Sequence, residues 1–149
     1  MLEVLFYHLQ RQPLESVLPL LLEKTLERGW KAVVRVGSPE RLAALDEALW
    51  TYREDSFLPH GTKADGAPET QPIYLTSSDE RPNDAECAFV TDGAAAPLDE
   101  DCVRIVLLFD GRDEDAVSRA RETWKDAKAR GLAATYWQQD EDGRWQKKA

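Results

Sequence analysis

Residues 45–61 read LDEALWTYREDSFLPHG, and they say more about this chain than any other stretch of similar length. The segment opens as the end of an amphipathic helix, because Leu42, Leu45 and Leu49 recur at helical spacing. It then leaves the helix and carries large apolar side chains into a connection that ends at Pro59-His60-Gly61. A connection this rich in apolar groups either covers a core or offers those groups to a partner.

The sequence on both sides of this segment alternates between strand and helix patterns. Short apolar runs predict strands over residues 2–9, 32–36, 73–76, 88–91, 103–109 and 133–137. Apolar positions at spacings of three and four predict helices over residues 13–28, 39–50 and 113–130. This order predicts a single α/β domain over residues 1–149, Rossmann-like, with a mostly parallel central sheet and helices on both faces. The polar residues 138–149 are expected to form a frayed tail.

The charge and hydropathy of the chain limit its partners. With 28 acidic and 19 basic side chains, the net charge of -9 argues against broad nucleic-acid binding, which needs clustered cations. The N-terminal residues lack the basic and apolar regions of a signal peptide. The longest apolar segment, Val17–Leu22, contains Pro19 and is too short to span a bilayer. We therefore expect a cytoplasmic protein with no membrane contact and no direct nucleic-acid partner.

The residues that usually carry chemistry do not form a recognisable constellation. Cys87 and Cys102 lack zinc-ligand spacing, which leaves either a disulfide between them or two reduced thiols packed as small apolar groups. The turn after the first strand, His8 to Pro13, contains no glycine and so no phosphate-binding loop. Neither His8 nor His60 has an identifiable nucleophile to activate. We predict no catalytic, cofactor or metal residue; the alternative is a remnant of a nucleotide-binding or helicase-like α/β enzyme.

The predicted helix over residues 113–130 has one side that could bind an anion. Its apolar stripe consists of Val117, Ala120, Trp124 and Ala127, which most simply face the core. Arg121 flanks this stripe beside the indole, and Lys125 and Lys128 continue the basic side. An arginine next to a large aromatic ring can hold a carboxylate while an apolar group enters beside the ring. The simpler alternative is a solvated helix charge.

Four separated pieces of the chain resemble the chi subunit of bacterial DNA polymerase III. The most specific piece is LDEALW at 45–50 followed by SFLPH at 56–60. The others are Phe6-Tyr7 in the first strand, KAVV at 31–34, and the helix segment from Ala120 to Gly131. The pieces follow the order of that family over residues 1 to about 137, while residues 61–101 match it poorly.

The resemblance implies a non-catalytic accessory subunit of the clamp-loader complex. Such a subunit links the complex to single-stranded DNA-binding protein, whose acidic C-terminal tail ends in Pro-Phe. The residues that the resemblance assigns to tail binding are Arg121, Trp124, Val117, Lys125 and Trp50. Those that it assigns to the psi subunit, or to another clamp-loader component, are Phe57, Leu58, Pro59 and His60. Two positions depart from the family pattern: Val117 lies where an extra lysine is common, and Trp124 replaces a tyrosine.

Overall fold

The fold is seen in a computed structural model that describes residues 2–10, 12–51, 59–78, 80–91, 94, 98 and 101–149. In chain order its strands and α-helices are β1 (Glu3–Leu9), α1 (Leu14–Glu27), β2 (Ala32–Arg35), α2 (Pro39–Thr51), β3 (His60–Gly61), β4 (Ile73–Thr76), β5 (Cys87–Val90), β6 (Arg104–Asp110), α3 (Glu114–Ala129), β7 (Ala133–Gln139) and β8 (Trp145–Lys147). The connection between β3 and β4 contains two short 3₁₀ helices, Lys63–Asp65 and Pro68–Thr70.

The strands form one eight-stranded sheet in the order β3-β4-β2-β5-β6-β1-β7-β8. Every pair is parallel except β7 and β8, which are antiparallel. The predicted α/β class and mostly parallel sheet are therefore confirmed. The order could not be read from the sequence, because β1 lies between β6 and β7 rather than beside β2.

Alternating side chains divide the core into two layers, one on each face of the sheet. Val34, Leu75 and Phe89 point to the layer that contains the buried residues of α1 and α2. Phe6 and Leu107 point to the opposite layer, which contains Ala120 and Ala127 of α3. This alternation follows from the period of two along a strand. Helices α1 and α2 thus cover one face, and α3 covers the other near β6, β1 and β7.

The C-terminal segment differs from the frayed tail expected from its polar sequence. Asp140 closes a turn by accepting hydrogen bonds from the backbone of Asp142 and Arg144. The chain then returns as β8, where Trp145 packs edge-on against Tyr7 at 5.0 Å. The packing of one large aromatic ring, together with a tight turn, orders this segment although its other residues are polar.

Cys87 and Cys102 do not form a disulfide bond, and both are reduced thiols. Cys87 is buried in β5, and burial raises the pKa of its thiol to about 12. Of the two alternatives that the sequence left open, the structure therefore has the reduced thiols. Cys87 acts as a small apolar residue of the core.

Candidate functional site

Helix α3 is anchored at its start and held close to the sheet. The Asp113 side chain caps it by accepting hydrogen bonds from the backbone N–H groups of Asp115 and Ala116, at 3.0 and 3.3 Å. Ala120 and Ala127 are buried against the sheet, and their small side chains let the helix approach closely. The face of α3 beside these alanines is therefore fixed relative to β1 and β7.

Trp124 forms the apolar centre of this face. Its ring packs edge-on against Phe6 of β1 at 5.3 Å and against Tyr136 of β7 at 6.0 Å, and it is only partly buried. Val117 is also partly buried and packs on the same layer. The indole is thus held by two core rings, and its exposed part is at the surface, where an apolar group can lie against it.

Three cations line the same face of α3. Arg121 is exposed and makes no ion pair with any carboxylate in the described part of the chain. Lys125 is 3.6 Å from Glu122, and the Lys128 ammonium lies 4.9 Å from the centroid of the Trp124 ring. We call the group Val117, Arg121, Trp124, Lys125 and Lys128 the α3 site. It combines an aromatic surface with a guanidinium that is available for an anion.

His8 and Tyr136 lie at the edge of the α3 site, and the sequence had not assigned either of them to it. His8 Nδ1 is 2.6 Å from the Tyr136 hydroxyl. The imidazole ring also lies 5.1 Å from the Phe109 ring. Alternation along β1 places His8 on the same face as Phe6, which is the face that α3 covers. The alternation of side chains along β1 could have been recognised in the sequence. It becomes informative about the site only when the strands next to β1 are known.

The electrostatic environment keeps His8 neutral. Burial lowers the pKa of the imidazole below its ordinary 6.5, and the Arg121 charge lowers it further, whereas Asp110 acts in the opposite direction. Burial raises the pKa of the Tyr136 hydroxyl, with Arg121 opposing that effect. Arg121 thus acts electrostatically on both members of the hydrogen-bonded pair.

We expect this environment to make the stability of the protein depend on pH. The unfolded chain binds a proton at His8 before the folded protein does, so stability must fall as pH drops through about 6.5. The free energy of unfolding, measured by urea denaturation at several pH values, should have a shallower slope against pH in His8→Gln. Parallel slopes for the two proteins would contradict the prediction.

Trp50 lies far from the α3 site, although the sequence resemblance grouped it with Arg121. It is 50% exposed near the end of α2, and its ring is 4.3 Å from that of His60 in β3. Because β3 and β1 are five strand spacings apart in the sheet, they are separated by about 24 Å. Trp50 also sits on the helix that packs on the opposite face. The structure does not bring it together with Trp124.

Of the four residues expected at a partner-subunit surface, the two that the structure describes lie near Trp50. Phe57 and Leu58 lie outside the described residues. Pro59 is partly buried, and His60 is buried, with Nε2 3.1 Å from an Asp46 carboxylate oxygen. The buried His60 ring therefore packs against the Trp50 ring. We call Trp50, Pro59 and His60 the β3 surface.

A crevice of about 620 Å³ lies where nucleotides bind in many α/β folds, at the carboxyl ends of β1 and β6. Helix α1 leaves to one face there and α3 to the other. The backbone N–H of Gly111 is bonded to the Leu9 carbonyl at 2.7 Å, and that of Arg112 to the Asp110 carboxylate at 2.9 Å. The N–H groups of Asp115 and Ala116 are bonded to the Asp113 cap, so several of the N–H groups that a phosphate would need are already used within the protein. The crevice gives little support to the nucleotide-binding alternative.

Comparison with known proteins supports the family resemblance that the sequence indicated. A family model described as "DNA polymerase III chi subunit, HolC" matches residues 1–135. The chain belongs to this family. The match includes all of α3 and its site, the β3 surface and β1. The sequence resemblance that had indicated chi is thus confirmed.

One curated relative shows how far the similarity extends. The "Probable DNA polymerase III subunit chi" of Rickettsia prowazekii (strain Madrid E) is 34% identical over 79 residues. The aligned part covers 53% of this chi-family chain and 48% of the relative. The chain therefore spans about half the length of the curated relative that it matches.

The described part of the chain has neither a membrane-spanning helix nor a metal-ligand cluster. No helix in that part of the chain is long and apolar enough to cross a membrane. Within the same residues, no three or more His, Cys, Asp or Glu side chains come together in a way that could hold a metal ion.

Proposed function

We propose that this chain is a non-catalytic accessory subunit of the clamp-loader complex that binds the acidic C-terminal tail of single-stranded DNA-binding protein at the α3 site. The observation that carries the proposal is an exposed Arg121, without a carboxylate partner among the described residues, beside the partly buried ring of Trp124 in a chain of the chi family. A tail that ends in Pro-Phe offers a carboxylate and a ring together, and these match the two groups.

The charge distribution favours an acidic ligand at this place. The whole chain has a net charge of -9, so an acidic peptide is repelled by most of its surface. On α3, by contrast, Arg121, Lys125 and Lys128 lie along one side of the helix at spacings of three and four. The terminal carboxylate would pair with Arg121, and the acidic residues before it would meet the lysines.

The expected affinity follows from these few contacts. A hydrogen bond to a charged group contributes about 1.5–3 kcal/mol, and the burial of one phenylalanine ring contributes about 1.5–3 kcal/mol. Because the entropic cost of association offsets much of this sum, we expect a weak complex whose dissociation constant lies well above the nanomolar range. Because the pairing charges are exposed, the affinity should fall as salt rises.

The test is calorimetric titration of the full chain with an acidic peptide that ends in Pro-Phe. Arg121→Ala should weaken binding at least about tenfold, since it removes the charge-assisted bonds. Its stability should change little, because Arg121 is exposed. Equal affinity of the wild type and Arg121→Ala, or no binding by the wild type, would refute the proposal.

Two matched variants separate local pairing from a general loss of positive charge. Arg119→Ala removes an exposed arginine from the same helix, two residues away and so on a different side. Trp50→Ala removes an exposed tryptophan from the distant β3 surface. Both should bind the peptide with nearly wild-type affinity, and a peptide ending in Pro-Ala should bind weakly to all the proteins.

The β3 surface is our proposed contact for a second clamp-loader component, the psi subunit or its replacement. Trp50 is a large apolar side chain that is half exposed, and Pro59 lies next to the His60 that supports it. Aromatic residues of this kind often dominate the binding energy of an interface. Pull-down of the clamp-loader complex with Trp50→Ala should recover less of that component, whereas Arg121→Ala should recover a normal amount.

A further inference from the structure

The hydrogen-bonded pair His8 and Tyr136 occupies a position that the proposed tail binding alone does not explain. The distance between His8 Nδ1 and the Tyr136 hydroxyl is 2.6 Å, so one of these groups donates a hydrogen bond to the other. The other ring nitrogen, Nε2, is buried and has no hydrogen-bond partner among the described residues. It lies against Gly111, where a side chain as small as methyl would overlap the ring.

The groups around His8 come from each element packed on it. Tyr136 is contributed by β7, Arg121 by α3, and Asp110 by the end of β6. Phe109 of β6 adds an uncharged ring. Burial is the main effect that disfavours a positive imidazole, Arg121 disfavours it as well, and Asp110 favours it. In the unliganded protein the balance is toward the neutral ring.

An anionic ligand at Arg121 would shift this balance toward the protonated ring. Its carboxylate would neutralise the guanidinium that now opposes the protonation of His8 and would add negative charge nearby. The partner of His8 would change its role at the same time. In the neutral pair the Tyr136 hydroxyl can serve as the donor to Nδ1, but a protonated Nδ1 must itself donate to the phenol oxygen. The Tyr136 O–H is then available for another acceptor.

We propose that His8 takes up one proton from solvent when an acidic ligand binds at the α3 site, and that Tyr136 then donates its hydroxyl hydrogen bond to the ligand carboxylate. His8 is a positioning residue in this scheme, because it acts on the ligand through Tyr136. The proton balance is simple: one proton enters from water, none leaves, and no bond other than N–H is formed. This inference rests on the proposed binding of an acidic tail at Arg121.

The consequence is that binding becomes tighter as pH falls. If the ligand raises the pKa of His8 by about one unit, the affinity rises by about tenfold in total across the titration. The aspartates of the peptide stay ionised above about pH 5, so they do not mask the effect between about pH 8 and about pH 5.5. A purely structural His8 would leave the pH profile flat.

The experiment is calorimetric titration of the full chain with the acidic peptide ending in Pro-Phe, at several pH values and in two buffers of different ionisation enthalpy. The wild type should bind more tightly at low pH by about threefold to tenfold. The difference in heat between the buffers should show the uptake of a fraction of a proton per peptide. His8→Gln should bind without proton uptake and with no pH dependence in this range.

Tyr136→Phe tests the second half of the scheme. It keeps the ring that packs against Phe6 and Trp124 but removes the hydroxyl group. Its affinity at low pH should be lower than that of the wild type by about threefold to tenfold, as expected for the loss of one hydrogen bond. Its affinity at high pH should be closer to that of the wild type.

Nuclear magnetic resonance gives an independent readout, because the chain has two histidines, His8 and His60. The ring proton of His8 should titrate at a higher pH when the peptide is bound. Arg121-dependent binding without proton uptake and with no movement of the His8 titration would overturn this inference and leave the proposed function intact. Absence of any peptide binding by the wild type would instead overturn both.

Discussion

Trp124→Ala should destabilise the protein by about 2–4 kcal/mol and abolish peptide binding, the largest combined effect that we expect from one substitution. The ring joins Phe6 of β1 to Tyr136 of β7, so its loss leaves a gap at the junction of three elements. The same truncation removes the surface on which the phenylalanine of the peptide would lie. Urea denaturation gives the first quantity and calorimetric titration at a temperature where the variant is folded gives the second.

Trp124→Tyr is the matched variant for this prediction. Tyrosine keeps an aromatic ring at the position. We expect it to lose less than half of the stability that Trp124→Ala loses and to retain measurable peptide binding. If Trp124→Ala were folded, nearly as stable as the wild type and still able to bind, the α3 site would not be centred on the indole.

Gly111→Ala should cost about 1–3 kcal/mol of stability, although it adds a single methyl group. The added Cβ would overlap the His8 imidazole and would lie 3.1 Å from the Leu9 carbonyl oxygen. The ring must move to make room, and this motion breaks the 2.6 Å hydrogen bond to Tyr136. Urea denaturation measures the loss, and a reduced pH dependence of peptide binding should accompany it.

A double-mutant cycle isolates the cause of the Gly111→Ala effect. In a His8→Ala background the space occupied by the imidazole is empty, so the same methyl group should cost less than about 1 kcal/mol. Gly143→Ala provides a comparison without a steric clash: no atom lies within 4 Å of its added Cβ, and only its φ of +81° is unfavourable. An equal cost of Gly111→Ala in both backgrounds would exclude the clash with His8 as the cause.

The helices and most strands of this fold were predictable because each has a strong local signal. Helix α3 has an aspartate cap, acidic residues in its first turn and Lys128 in its last, and its predicted range of 113–130 includes only the two capping residues beyond Glu114–Ala129. Strand β6 is a nearly continuous apolar run, and it lies inside the sheet as expected. Strand β8 was missed because its only apolar residue, Trp145, is stabilised by a ring from a distant strand.

The site was only partly predictable, because it depends on which strands are neighbours. Arg121 and Trp124 share a helix, so their proximity follows from spacing alone. His8 and Tyr136 are 128 residues apart, and they meet because β1 is inserted between β6 and β7. No local pattern encodes that insertion. For the same reason Trp50 could not be separated from Trp124 in the sequence, although the order of the sheet places them near different edges.

The separation of the α3 site from the β3 surface has a consequence for how an assembly would behave. Two partners bound at these places would sit on opposite faces of one rigid sheet and would neither compete nor touch the same element. The chain would then act as a tether: each partner is held at a high local concentration near the other, without any change in shape. The sheet would fix the distance between the two partners. The binding free energy at the α3 site and that at the β3 surface should then add.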